Sequence, residues 1–149
     1  MRRTRLPVLV SVFAVAILAV GAAPVASADA TFRVIVNPQV KGSQIPRAAI
    51  TSIFLKQAHR WGDGSTVVPV DQSFRSPVRR AFCNDVLQQG LVQMQVYWQR
   101  QMASGVTPPS VKTSDEEIVS FVASTPGAIG YVSSSAPLPD SVREVAIIN

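Results

Sequence analysis

Strand-type and helix-type runs alternate along this chain, and that alternation narrows the fold more than any single motif. "TFRVIVNP" (Thr31 to Pro38) alternates and is rich in β-branched residues, which predicts a strand ended by Asn37-Pro38. In "IPRAAITSIFLK", Ile45, Ala49, Ile50, Ile53 and Phe54 keep helical spacing, with Pro46 suited to the first turn. Gly62-Asp63-Gly64 then turns the chain into a second strand near Thr66 to Val70. After Ser76-Pro77, the residues Val78, Phe82, Val86, Leu87, Leu91, Met94 and Trp98 form one stripe. That is one long helix, or two helices broken near Gly90. "ASGVTPPS" reads as a loop. Ser114 and Glu117 have the spacing of a capping box on a helix that runs to about Ala123. "TPGAIGYVS" predicts a turn and a short strand, and Val142 to Ile148 a last strand. The class is α/β, a small mixed sheet flanked by helices.

The N-terminus stands apart from this pattern. Arg2, Arg3 and Arg5 precede an uncharged, largely apolar stretch from Leu6 to Val25, and Ala26-Ser27-Ala28 supplies small residues. This is the layout of a secretory signal peptide over residues 1–28, followed by one domain of 121 residues, 29–149. A retained membrane span is the alternative. Pro24 and the small residues favour processing, so no membrane anchor is expected after cleavage, and the location is periplasmic or secreted. Three of the fourteen basic residues and none of the nine acidic ones lie in the leader. The domain therefore holds eleven basic against nine acidic residues, a net charge of +2. That balance gives no reason to expect a nucleic-acid partner.

Cys83 is the sole cysteine and His59 the sole histidine. No internal disulfide can form, and Cys83 reads as a small buried hydrophobe within the helical stripe. Metal sites and catalytic triads built from the usual residues are not available either. Asp115, Glu116 and Glu117 read as a first helical turn that suits the dipole, with a carboxylate metal site as the minor alternative. With no nucleophile–base pair or paired catalytic carboxylates, the reading is a non-enzyme without cofactor or metal.

The stretch with most chemical promise is "VVPVDQSFRSPVRRAF" (67–82), a strand that opens a helix with three arginines around one serine. Ser76 suits the N-cap and Pro77 the first helical position, which aims the amides of Val78 and Arg79 outward at the positive end of the dipole. An anion there would gain those donors together with Arg75 and Arg79, with Ser73 and Asp71 beside them. Two other readings stay open: Ser76 caps only its own helix, and Arg79 pairs with Asp71. Trp61, Tyr97 and Trp98 read as core or interface residues, or as the lining of a pocket.

Three phrases, "SIFLKQAHRWGDGSTVVPVDQ", "YWQRQMASGVTPP" and "TPGAIGYVS", together resemble the phosphate-type periplasmic substrate-binding proteins of ABC importers, in short, single-lobe form. The likeness runs from about Phe32 to Ile148. It implies one lobe of a type II periplasmic binding protein. Full-length members have two lobes that close on a nearly dehydrated phosphate, at a turn with the pattern Arg-x-Asp-Gly-Ser-Gly-Thr. The matching stretch here is Gln72 to Val78, and only Ser76 survives. The family's arginine falls on Gln72, its acidic residue on Phe74 and its threonine on Val78. Pro77 stands at a glycine and lacks an N–H.

The resemblance implies an exported phosphate- or oxyanion-binding protein linked to ABC-type phosphate uptake or sensing. The anion contacts it implies are Asp71, Ser73, Arg75, Ser76, Val78 and Arg79. The implied partners are phosphate or a similar oxyanion, an ABC permease, a sensor or a second copy of the chain. The decayed motif leaves a second expectation, a ligand-free single-lobe interaction module of the cell envelope.

Overall fold

The computed structural model describes residues 31–149. The expected leader, residues 1–28, lies outside the described residues. The chain runs β1 (Phe32–Val36), β2 (Gln44–Pro46), α1 (Arg47–Phe54), β3 (Val68–Gln72) and α2 (Pro77–Phe82), which continues as a π-helical turn, Cys83–Leu87. Then come α3 (Leu91–Ala103), β4 (Ser110–Lys112), α4 (Asp115–Ser124), β5 (Ala128–Ser133) and β6 (Arg143–Ile148). Six strands form one mixed sheet in the order β2-β6-β1-β5-β3-β4. β1 is antiparallel to β5 and β6, whereas β3 is parallel to β4 and β5.

The central strands are nearly continuously buried because the pleat sends successive side chains to opposite faces and both faces are covered. Phe32, Val34 and Val36 of β1 and Ile129 and Tyr131 of β5 face a core completed by Ile50, Ile53 and Phe54 of α1, Phe82 of α2 and Met94 and Trp98 of α3. Ile35, Val70, Ala128 and Val132 face the other way, onto Ile118 and Val122 of α4. Two glycines bring β5 close to its neighbours. A Cβ on Gly130 would stand 2.8 Å from Val70 and 2.9 Å from Ile118, so α4 lies directly on the sheet there. Gly127 has φ +75°, and a Cβ there would collide with the Thr66 carbonyl.

Local differences from the sequence reading have physical causes. Pro46 is not inside the first turn of α1. It is the N-cap, at φ −59° and ψ 138°, and Ile45 pairs with Ile147 in β2 rather than joining the helix. The helical stripe breaks as the second alternative had it: Gln88 takes a left-handed conformation at φ 52° and Gly90 caps α3. The predicted loop "ASGVTPPS" ends in the first residue of β4. The capping box forms by half. Ser114 Oγ accepts from the Glu117 amide at 3.2 Å, but the Glu117 carboxylate accepts from the Thr113 amide at 2.7 Å, one residue further back. No helix among the described residues is long and apolar enough to cross a membrane.

Candidate functional site

The connection from β3 leads through α2 and α3 on one face to β4, and the connection from β4 leads through α4 on the other face to β5. Helices that leave adjacent parallel strands on opposite faces open a crevice at the strands' carboxyl ends, where α/β sheets place ligands. In this chain that crevice position falls between the turn Ser73–Ser76 and the start of α4, which Gln72 bridges.

Ser76 is the N-cap of α2, with φ −69° and ψ 128°, and its Oγ accepts from the Arg79 amide at 3.3 Å. The Ser73 carbonyl accepts from the Ser76 amide at 2.9 Å, which closes the turn, and the Lys112 carbonyl accepts from the Ser73 amide at 2.8 Å, which ties it to β4. Ser73 Oγ accepts from the Arg75 amide at 3.4 Å. Arg75 and Phe74 are exposed, and Val78 is half-buried against the core.

Asp71 and Arg79 turn inward. They are 8% and 7% exposed, with Arg79 Nη2 3.0 Å from Asp71 Oδ2 and Nη1 donating to the Gln72 carbonyl at 2.9 Å. Tyr131 donates its hydroxyl to Asp71 Oδ1, which also accepts from the Gln72 amide at 2.8 Å. Burial pushes the Asp71 carboxyl above its ordinary pKa, and the Arg79 charge pulls it back. Tyr131 is raised too, by burial and by Asp71 beside it, and its ring stacks on Phe82 at 3.9 Å. Cys83, 1% exposed, is pushed up to about 11 by burial and by Asp71, which makes it an inert thiol at neutral pH.

Sequence reasoning missed the residue that ties the crevice together. Gln72 is 4% exposed. Its Oε1 accepts from Ser76 Oγ at 2.6 Å, while its Nε2 donates to Asp115 Oδ1 at 2.9 Å and to the Tyr131 carbonyl at 3.0 Å. Asp115 in turn accepts from Ser133 Oγ at 2.6 Å and from the Ser133 amide at 3.2 Å. The crevice therefore gathers Ser73, Arg75 and Ser76 of the expected set on its outer side. Asp71 and Arg79 are held as an internal pair.

The aromatic residues divide. Trp61 Nε1 donates to the Gly127 carbonyl at 3.0 Å and Tyr97 to the Leu55 carbonyl at 2.7 Å, both holding backbone. Trp98 is core, yet it also floors a groove of about 350 Å³ beside Arg79. A larger concavity of about 530 Å³, between α4 and the loop 136–141, is lined by Asp115 and Glu116 without a cation, which is the wrong sign for an anion.

No family model matches the chain, and no curated protein matches it. Solved structures do. An ABC-type phosphate transport receptor from Vibrio cholerae aligns with TM-score 0.61 at 15% identity, over 78% of this chain and 46% of the receptor. A putative phosphate ABC transporter substrate-binding protein with bound phosphate, from Clostridium perfringens, aligns with TM-score 0.61 at 22% identity, over 78% of this chain and 44% of that one. PstS from Borrelia burgdorferi gives 0.59 at 13% identity, over 78% and 47%. The chain spans about half the length of these proteins. The six-stranded α/β sheet with helices on both faces thus shares the fold of about half the length of the phosphate-type substrate-binding proteins of ABC transporters.

Proposed function

We propose that this chain is an exported binding protein of the cell envelope that takes up phosphate or a similar oxyanion at the β3–β4 crevice and serves ABC-type phosphate uptake or sensing. The carrying observation is the position of the turn. Ser73, exposed Arg75 and Ser76 stand at the carboxyl ends of β3 and β4, in a fold shared with phosphate receptors. Leader-type residues 1–28 support export, to the periplasm or outside the cell. The crevice is open on one side and Asp115 lies within it, so an anion there keeps much of its water and each contact is worth less than in a closed cleft. Binding is weak and salt-sensitive, about −4 to −6 kcal/mol, in the high micromolar to millimolar range. A permease, a sensor or a second copy covering the crevice would tighten it.

Isothermal titration with inorganic phosphate at low ionic strength tests this. The expected result is a saturable heat that weakens in Arg75→Ala. Absence of heat and of a thermal shift up to tens of millimolar, roughly the limit of specific binding on this scale, would sink it.

One observation favours a second reading, the ligand-free interaction module. Ser76 Oγ, Gln72, Asp115 and the Asp71–Arg79 pair satisfy one another, so the polar groups of the crevice do not depend on a guest. Under that reading phosphate gives no heat, while the immobilised protein retains one defined envelope protein that Arg75→Ala releases.

A further inference from the structure

The outer face of α3 departs from the usual surface helix. Its inner side buries Met94 and Trp98. Outward, Val92, Val96, Gln99 and Ala103 follow helical spacing with Gln95 beside them, and all five are exposed. A solvent-facing stripe ordinarily carries charge. α4 obeys that rule, with exposed Glu116 and Glu117. The α3 stripe carries none, and Arg100 at its flank is the helix's single charged residue. Six large apolar side chains are exposed among the described residues. Three of them lie on this one helix: Val92 (70%), Val96 (41%) and Met102 (52%). Such a concentration marks a contact surface.

We propose that this stripe is an interface between two copies of the chain, α3 packed antiparallel on α3 about a two-fold axis near Val96 and Gln99. The absence of charge selects the occupant. In a two-fold contact a patch meets itself, so a charged stripe would face its own sign. Glutamine carries donors and an acceptor together, and Gln95 and Gln99 therefore pair with the same residues of a copy. A charged partner surface would instead bury its charge on Val92 and Val96 with no ion to compensate it. A membrane surface fits no better, because interfacial helices carry several Lys or Arg on their polar face and α3 has Arg100 alone. Antiparallel packing also sets the positive end of each helix dipole against the negative end of the other. The helix is about 20 Å long, so the contact buries on the order of 800–1,000 Å² in total. That is the low end for a specific interface, and the dimer is transient. No residue of the stripe belongs to the turn Ser73–Ser76, so the contact stands whether or not phosphate binds.

The test is sedimentation equilibrium of the phosphate-free protein from about 10 µM to about 1 mM. The expected result is a reversible monomer–dimer equilibrium with a midpoint of about 0.1–1 mM. Val96→Glu and Val96→Lys each weaken it by about tenfold or more, since either sign meets its like across the axis. An equimolar mixture of the two variants associates again, because the axis then brings opposite charges together. Ser120→Glu, exposed on α4, leaves the equilibrium unchanged. The proposal is overturned by three results: a monomer throughout, association that both Val96 variants leave intact, or a mixture that associates no better than either variant alone. In the first case, amide NMR with phosphatidylglycerol vesicles shows whether lipid takes the face instead. Phosphate is absent from every arm, so this contact and the oxyanion seat fail or hold independently.

Discussion

The crevice and the groove share the Asp71–Arg79 pair and use it oppositely. On the crevice side every interaction is returned: Arg79 Nη1 meets the Gln72 carbonyl, Gln72 meets Ser76 and Asp115, and Asp115 meets Ser133. On the groove side the same pair lies beside exposed apolar side chains, Phe74, Met102 and Val111, which offer it no polar partner. At Gln72 a side-chain amide joins the Ser76 hydroxyl to the Asp115 carboxylate and closes the network. At Phe74 an exposed ring lies 5.8 Å from the Arg79 guanidinium carbon and adds apolar surface. One region is closed by polar contacts, and the other exposes apolar side chains.

The largest effect is expected where the two regions meet. Arg79→Met leaves the Asp71 carboxylate buried without its cation and costs about 3–5 kcal/mol in chemical denaturation, while Asp71→Asn with Arg79→Met recovers much of it. If the single variant lost no stability, the pair would not be the hinge of the comparison. Behind the pair, Cys83 adds a pH dependence. The unfolded thiol ionises near 9.0 and the folded one at about 11. The folded state binds the proton more tightly, so its contribution is complete below about pH 9 and fades between 9 and 11. The loss is about 2–3 kcal/mol and should be absent in Cys83→Ala. On the crevice side Ser76→Ala removes the cap of α2, costs about 1 kcal/mol and abolishes the phosphate heat. Retained heat would move the anion off this turn. On the groove side Val111→Gln changes stability by no more than about 0.5 kcal/mol, because Val111 is exposed.

Elements with a local signature were legible in the sequence. The strands at Phe32–Val36 and Ala128–Ser133 carry their own apolar runs, Ser76 caps the helix it precedes, and Gly90 marks a real break. β2 and β4 were not legible, since three residues cannot display a period of two and both depend on pairing with strands distant in the chain. Pro46 and Ile45 looked helical by spacing, and the parallel register with β6 took them instead. The crevice was half legible. Its turn could be read from Ser76-Pro77, but the Gln72–Asp115 contact spans 43 positions and no local pattern announces it. The convergence of Phe74, Met102 and Val111 beside Arg79 was beyond reach, because it depends on how distant segments pack.

The weak oxyanion seat at the carboxyl ends of β3 and β4 is tested most directly by a residue-resolved amide NMR titration with inorganic phosphate at low salt. The account predicts saturable shifts confined to the backbone amides from Ser73 to Arg79, with a millimolar-range midpoint that Arg75→Ala raises several-fold. Amides of that turn that stay unmoved while phosphate reaches tens of millimolar, or that move no more than amides of the opposite sheet edge at β2, would contradict it.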